Sequence, residues 1–182
     1  MSESVKSQPA VVDKDAIVVA QSHTDDRASI TQEDVIAAQT AWGEGIVAIS
    51  AVFIDGGDYV SEAQSLIDAL YGYDQGPVLF KPTLAAKQPF RPSKTEALSY
   101  FIGGVVNEDH GFAIKPWEAV SIGPQQIILQ GATAVAMGHY RFQPYQQGDE
   151  VLVEFTFGYF RDNVGDVRIN VHHSSLPYSP ES

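Results

Sequence analysis

The chain has 182 residues, 44% of them hydrophobic and 10% aromatic, so it can bury one hydrophobic core and is short for two. It contains no cysteine, which excludes disulfides, thiolate metal sites and thiol nucleophiles. Its formal charge of −12, from 23 acidic against 11 basic residues, repels phosphate backbones and argues against a nucleic-acid partner.

Residues 1–29 are polar, lack aromatics and hold one brief apolar cluster at 16–20, the composition of a flexible tail. They lack the basic start and long apolar centre of a secretory signal, which places the protein in the cytoplasm, or in the periplasm if an export signal has been trimmed. No apolar run approaches the roughly eighteen residues that cross a bilayer, so no membrane partner is expected. A single domain is expected over 30–178, followed by a short tail at 179–182.

Three helices come first. Thr31 is a plausible N-cap with Asp34 three residues on, and Val35, Ala38, Trp42, Ile46 and Ile49 then recur at helical spacing. After Gly56–Gly57, Ala63, Leu66, Ile67, Leu70 and Tyr71 form the stripe of a second helix ending near Gly72. Ser93 and Glu96 make the capping box of a third, which stops at Gly103–Gly104. The prolines between the second and third forbid a long helix and leave short strands and loop.

After Asn107 the chain reads as antiparallel strands, with turns expected at Gly123–Pro124, at 147–149 and at 162–165. Alternation puts Val151, Val153, Phe155, Phe157 and Tyr159 on one face, opposite Leu152, Glu154 and Thr156. In the last strand it groups Val167, Ile169, Val171 and His173 against Arg168, Asn170 and His172. Helices followed by a strand meander predict an α+β layer fold.

That last strand runs into His172, His173, Ser174 and Ser175. Adjacent strand residues point to opposite faces, so the two histidines cannot share a metal, and His23, His110 and His139 add no ligand spacing; no metal and no cofactor are expected. The chain has no G-x-S-x-G elbow for a serine hydrolase. Two readings stay open: one histidine hydrogen-bonded in the interior, or one histidine facing a pocket.

The ordered segments "AWGEGIVAIS", "ALYGYDQGPVLFKPT", "FRPSKTEALSYFIG", "AMGHYRFQ" and "VLVEFTFGYFRDNVGDVRINVHHSSLP" resemble the nuclear transport factor two-like superfamily. More narrowly they are similar to the SnoaL-like bacterial relatives of the calcium/calmodulin-dependent protein kinase II association domain. The likeness spans about Thr31 to Pro177 and includes Trp42 within the first helix, Pro82–Thr83 after an apolar strand, and the terminal His-His-Ser-Ser. It implies a cone: a curved, mixed, mainly antiparallel sheet wrapped by three N-terminal helices around a pocket. The chain departs from these relatives at Val167, where they carry an aromatic residue, and supplies its own Trp117.

By the same resemblance Arg141 falls where the association domains carry a pocket arginine. A cavity-facing guanidinium there would need an anionic guest or an internal carboxylate such as Glu154, with His139 beside it on the same face. The competing reading is a structural Arg–Glu pair at the sheet surface or a subunit interface. The expected pocket residues are Arg141, His139, Tyr140, Trp42, Tyr71, Tyr100 and His173; the candidate general bases are His139, His173 and Glu154, and the candidate hydrogen-bond donors Tyr71, Tyr100 and Tyr140. The leading expectation is an oligomeric pocket protein, at least a dimer and non-catalytic or cryptically so, that binds a small carboxylate-bearing ligand. The alternatives are an isomerase, dehydratase or cyclase-like lyase with a His or Glu base, and a protein association module.

Overall fold

The structure is a computed structural model that describes residues 28–180 apart from Gln147; the expected N-terminal tail lies outside the described residues except for Ala28 and Ser29. Helix α1 (Gln32–Ile54) opens with the expected capping box, the Thr31 hydroxyl accepting from the Asp34 amide and the Asp34 carboxylate from the Thr31 amide. Helix α2 (Tyr59–Leu70) is capped by Asp58, and α3 (Lys94–Ile102) by Ser93 and Glu96 before Gly103 ends it. By length and apolar content α1 is sufficient to cross a bilayer, against the expectation from apolar runs. Here that apolar content serves a core, because Val35, Trp42, Ile46 and Ile49 are buried by the sheet and its neighbours.

Five strands form one sheet in the order β1-β5-β4-β3-β2, with β1 (Leu79–Lys81) parallel to β5 (Val167–Ser175). Strands β2 (Trp117–Gln130), β3 (Thr133–Pro144) and β4 (Val151–Arg161) complete it in antiparallel register. Three helices on a mixed, mainly antiparallel sheet make the expected α+β cone. The inner face carries Tyr140, Phe142, Val153, Phe155, Phe157 and Tyr159, all buried. Gln39 and Gln125 exchange side-chain amide hydrogen bonds of 2.7 and 2.8 Å and fasten α1 to β2. Ser50 fixes the far end of α1, its hydroxyl lying 2.7 Å from the Ala113 carbonyl and accepting from the Trp117 amide at 3.1 Å.

Two sequence expectations are corrected. Gly123–Pro124 is not a turn: β2 passes through it with a register shift between Ile122 and Gln125, and the hairpin closes at Gly131, which adopts φ 58°. Proline is tolerated there because β2 is an edge strand and the irregularity removes the need for its amide. The face assignment of β5 also breaks, since Gly158 pairs with Val171 while the next residue, Tyr159, pairs with Ile169. Asn170 is therefore an extra residue, a bulge that reverses the alternation beyond it. Ile169, His172 and Ser174 are buried on the inner side, and His173 is exposed on the other. Gly158 permits the bulge, because a Cβ there would stand 2.8 Å from the Val171 Cβ.

Candidate active site

Helices α1 and α3 and strands β1, β3 and β5 each send a polar or aromatic residue to one small internal cavity of about 10 Å³. Trp42 comes from α1, Tyr100 from α3 and Tyr140 from β3; Thr83 follows β1, and His172 and Ser174 come from β5 beyond the bulge. A cavity of this size is close to the minimum that holds one water. Its walls are aromatic and its polar groups few and convergent, the anatomy of a small-molecule site.

The polar groups form a continuous hydrogen-bonded row. Trp42 Nε1 donates to the Tyr71 hydroxyl at 3.0 Å, and that hydroxyl lies 2.8 Å from His172 Nδ1. The other ring nitrogen, Nε2, lies 3.3 Å from the Tyr140 hydroxyl, which is also held by Ser174. Thr83 Oγ1 donates to Ser174 Oγ at 2.8 Å, and the Tyr100 hydroxyl receives the Leu84 amide at 3.4 Å. The His172 ring is clamped between Phe157, 4.2 Å away at 24°, and Phe80, 4.9 Å away at 10°.

This environment fixes protonation. Burial lowers the His172 pKa from 6.5 to about 3, with the neighbouring His173 adding to the effect, so the ring is neutral at physiological pH. Burial pushes the Tyr100 hydroxyl up to about 12 and raises those of Tyr71 and Tyr140 further still. The site is thus a set of neutral donors and acceptors in a buried, aromatic-walled enclosure. No group of three or more histidine and acidic side chains able to hold a metal occurs among the described residues, and one imidazole with four hydroxyls around the cavity is not a zinc ligand set.

The structure places Trp42, Tyr71, Tyr100 and Tyr140 around this site and removes the other sequence candidates from it. His139 and Arg141 lie on the opposite face of β3 from Tyr140, because strand residues alternate. Arg141 Nε pairs with Glu150 at 3.0 Å, the surface arrangement that was the competing reading. Glu154 and His173 share that outer face, in an open hollow of about 410 Å³ with His139 and Met137. Sequence reasoning missed His172, Ser174 and Thr83 as pocket residues. All three lie within the segments that carried the family resemblance, but unbroken alternation in β5 selected His173 instead.

A curved sheet wrapped by helices around an internal pocket defines a nuclear transport factor two-like pocket protein. The fold is shared with several such proteins, among them one of the calcium/calmodulin-dependent protein kinase II association-domain type from Thiobacillus denitrificans: 13% identity, TM-score 0.52, covering 84% of this chain and 100% of that one. Within that class the match becomes specific. The family model "Metal-independent carbonic anhydrase" matches residues 33–176. A metal-independent carbonic anhydrase from Nostoc sp. (strain PCC 7120) is 43% identical over 155 residues, 82% of this chain and 75% of that protein. The crystal structure of a cyanobacterial iota-carbonic anhydrase complexed with bicarbonate superposes with TM-score 0.81 at 40% identity, covering 87% of this chain and 99% of that one. The chain belongs to the metal-independent carbonic anhydrase family. That membership overturns the leading expectation of a non-catalytic pocket protein and favours the lyase alternative, since dehydrating bicarbonate is a lyase reaction.

Proposed function

We propose that this protein interconverts carbon dioxide and bicarbonate in the internal cavity. The observation that carries the reading is a site too small for most metabolites, in which aromatic walls meet Thr83, Ser174, Tyr100, Tyr140 and His172. The walls suit an apolar linear gas, and the hydroxyls suit the trigonal anion it becomes. In hydration a water oxygen forms a bond to carbon, one carbon–oxygen π bond opens onto oxygen, and the water gives up a proton. Neutral donors aimed at the new oxyanion stabilise it strongly because the enclosure excludes bulk water. The proton leaves by hydroxyl exchange, each hydroxyl accepting one proton while passing on another, and water outside the cavity is the final acceptor.

Stopped-flow carbon dioxide hydration with an indicator dye tests this. Chelator-treated protein is expected to keep full activity, and Ser174→Ala to lose about 100-fold, as for removal of one oxyanion donor. A rate equal to the buffer blank, with the protein folded, would reject the reading.

The protein further self-associates through the outer face of its sheet. Ile128, Val135 and Met137 stand exposed there at 60%, 43% and 61%, Ile128 pairing with Val135 across the strands, a contiguous apolar cluster of the kind that marks an interaction surface. Met137→Glu is expected to shift the species seen by sedimentation velocity to the monomer. A wild-type chain monomeric at high micromolar concentration would sink the proposal.

A further inference from the structure

We propose, building on that reading of the pocket, that Trp42 and Tyr71 are positioning residues that lock His172 in the tautomer protonated at Nε2, so that it serves the cavity as a hydrogen-bond donor and not as a general base. The donor inventory decides the direction. An indole nitrogen only donates, so the Tyr71 oxygen receives the Trp42 proton at 3.0 Å. The Tyr71 hydroxyl then has one proton of its own to place, and His172 Nδ1, 2.8 Å away, is the acceptor the structure offers it. Those two contacts are the hydrogen bonds of the Tyr71 hydroxyl, and the aromatic rings of Tyr73, Phe80 and Phe101 pack around the Tyr71 ring.

Were Nδ1 protonated, the Tyr71 oxygen would receive two protons and its own, on a residue 1% exposed, would lose the acceptor that His172 provides. Buried donors in folded proteins are rarely left so. With Nδ1 accepting, the single proton of the neutral ring sits on Nε2, which faces Tyr140 and the cavity. Its contact to the Tyr140 hydroxyl is long at 3.3 Å, against 2.8 Å on the Tyr71 side. A weakly committed Nε2–H is one that a substrate oxygen entering the cavity can share. The ring cannot turn to exchange its nitrogens, because Phe80 and Phe157 stack on its two faces and Trp42 stands edge-on at 5.4 Å. The burial that keeps the imidazole neutral acts in the same sense.

The lock can be read without any assay of turnover. In protein labelled with ¹⁵N-histidine, long-range proton–nitrogen correlation spectra are expected to show His172 of the wild type neutral and protonated at Nε2, unchanged between pH 8 and 5. Trp42→Phe frees the Tyr71 oxygen to accept from Nδ1, and Tyr71→Phe removes the donor; both are expected to give mixed tautomers. Tyr71→Phe should also lower kcat roughly tenfold, the worth of one hydrogen bond to a poised group, with little change in KM. A wild-type ring protonated at Nδ1, or a Trp42→Phe ring still wholly Nε2-protonated, overturns the lock. Spectra showing the lock in a protein that hydrates no carbon dioxide would reject the proposed function and leave the lock standing. Active enzyme with an Nδ1-protonated ring would do the reverse. Because the first reading uses the unmodified protein, a variant that fails to fold does not remove the test.

Discussion

His172→Phe is expected to lower carbon dioxide hydration by at least about 100-fold, because it removes the Nε2–H donor while keeping an aromatic ring in the slot between Phe80 and Phe157. Folding should survive with a loss of about 1–3 kcal/mol, because the buried Tyr71 hydroxyl loses its acceptor while keeping its bond from Trp42 and the new ring fills the slot. The same variant should change the response to acid. In the native protein burial holds the His172 pKa at about 3, whereas in the unfolded chain it returns to near 6.5. Between those values the unfolded state binds a proton the native state does not, so stability is fully present above about pH 6.5 and falls as the pH drops toward 3. The slope is on the order of 1 kcal/mol per pH unit from this one residue. Urea midpoints at pH 7.5 and 5 should therefore fall further for the wild type than for His172→Phe. Equal falls would show that the ring titrates normally and is open to water; unchanged turnover in a folded variant would remove His172 from the chemistry.

Why the sequence pointed at the neighbouring histidine is a matter of one inserted residue. Helix caps at Thr31 and Ser93, the stripe of α1 and the alternation in β4 are local properties, and the structure reproduces them. The bulge at Asn170 is not local. It arises from pairing with β4 around Gly158, thirteen residues or fewer away in chain but set by tertiary register. A period of two carried unbroken through Val167, Ile169 and Val171 lands on His173; corrected by one residue, it lands on His172 and Ser174. The aromatic half of the pocket was legible for the opposite reason. Trp42, Tyr71, Tyr100 and Tyr140 are large residues on regular stripes, and such residues are buried whichever partner they meet. Arg141 misled because a likeness of strand carries no information about face.

The fold's heaviest electrostatic commitment stands behind Thr83 and Tyr100, and it predicts the largest loss of stability. Arg91 is fully buried and its Nη2 lies 2.6 Å from Asp109 Oδ1, itself 1% exposed, while Arg91 Nη1 donates to the Gln88 carbonyl. The Arg91 amide donates to the Phe80 carbonyl at 2.8 Å, and the Glu108 carboxylate accepts from the amides of Ala86, Lys87 and Gln88. Together these contacts bind the segment leaving β1, which carries Thr83, to the segment following α3, which starts two residues beyond Phe101. Asp109→Ala would leave the buried guanidinium without its close, hydrogen-bonded counter-charge and with only Glu108, 4.0 Å away, beside it, and is expected to cost about 3 kcal/mol. Removing both charges avoids that penalty: Arg91→Met with Asp109→Leu should cost far less than the single change, since buried ion pairs replaced by apolar residues are often near neutral. The double variant nonetheless lacks the side-chain bonds of Arg91 to Asp109 and Gln88 that help tie the Thr83-bearing segment to the segment after α3, so its KM should rise even where its denaturation midpoint approaches that of the wild type. Urea denaturation and hydration kinetics of the three proteins decide the matter. A single variant that loses less than about 1 kcal/mol would show that water reaches the Arg91 site, and a double variant with wild-type KM would show that the ion pair serves stability alone.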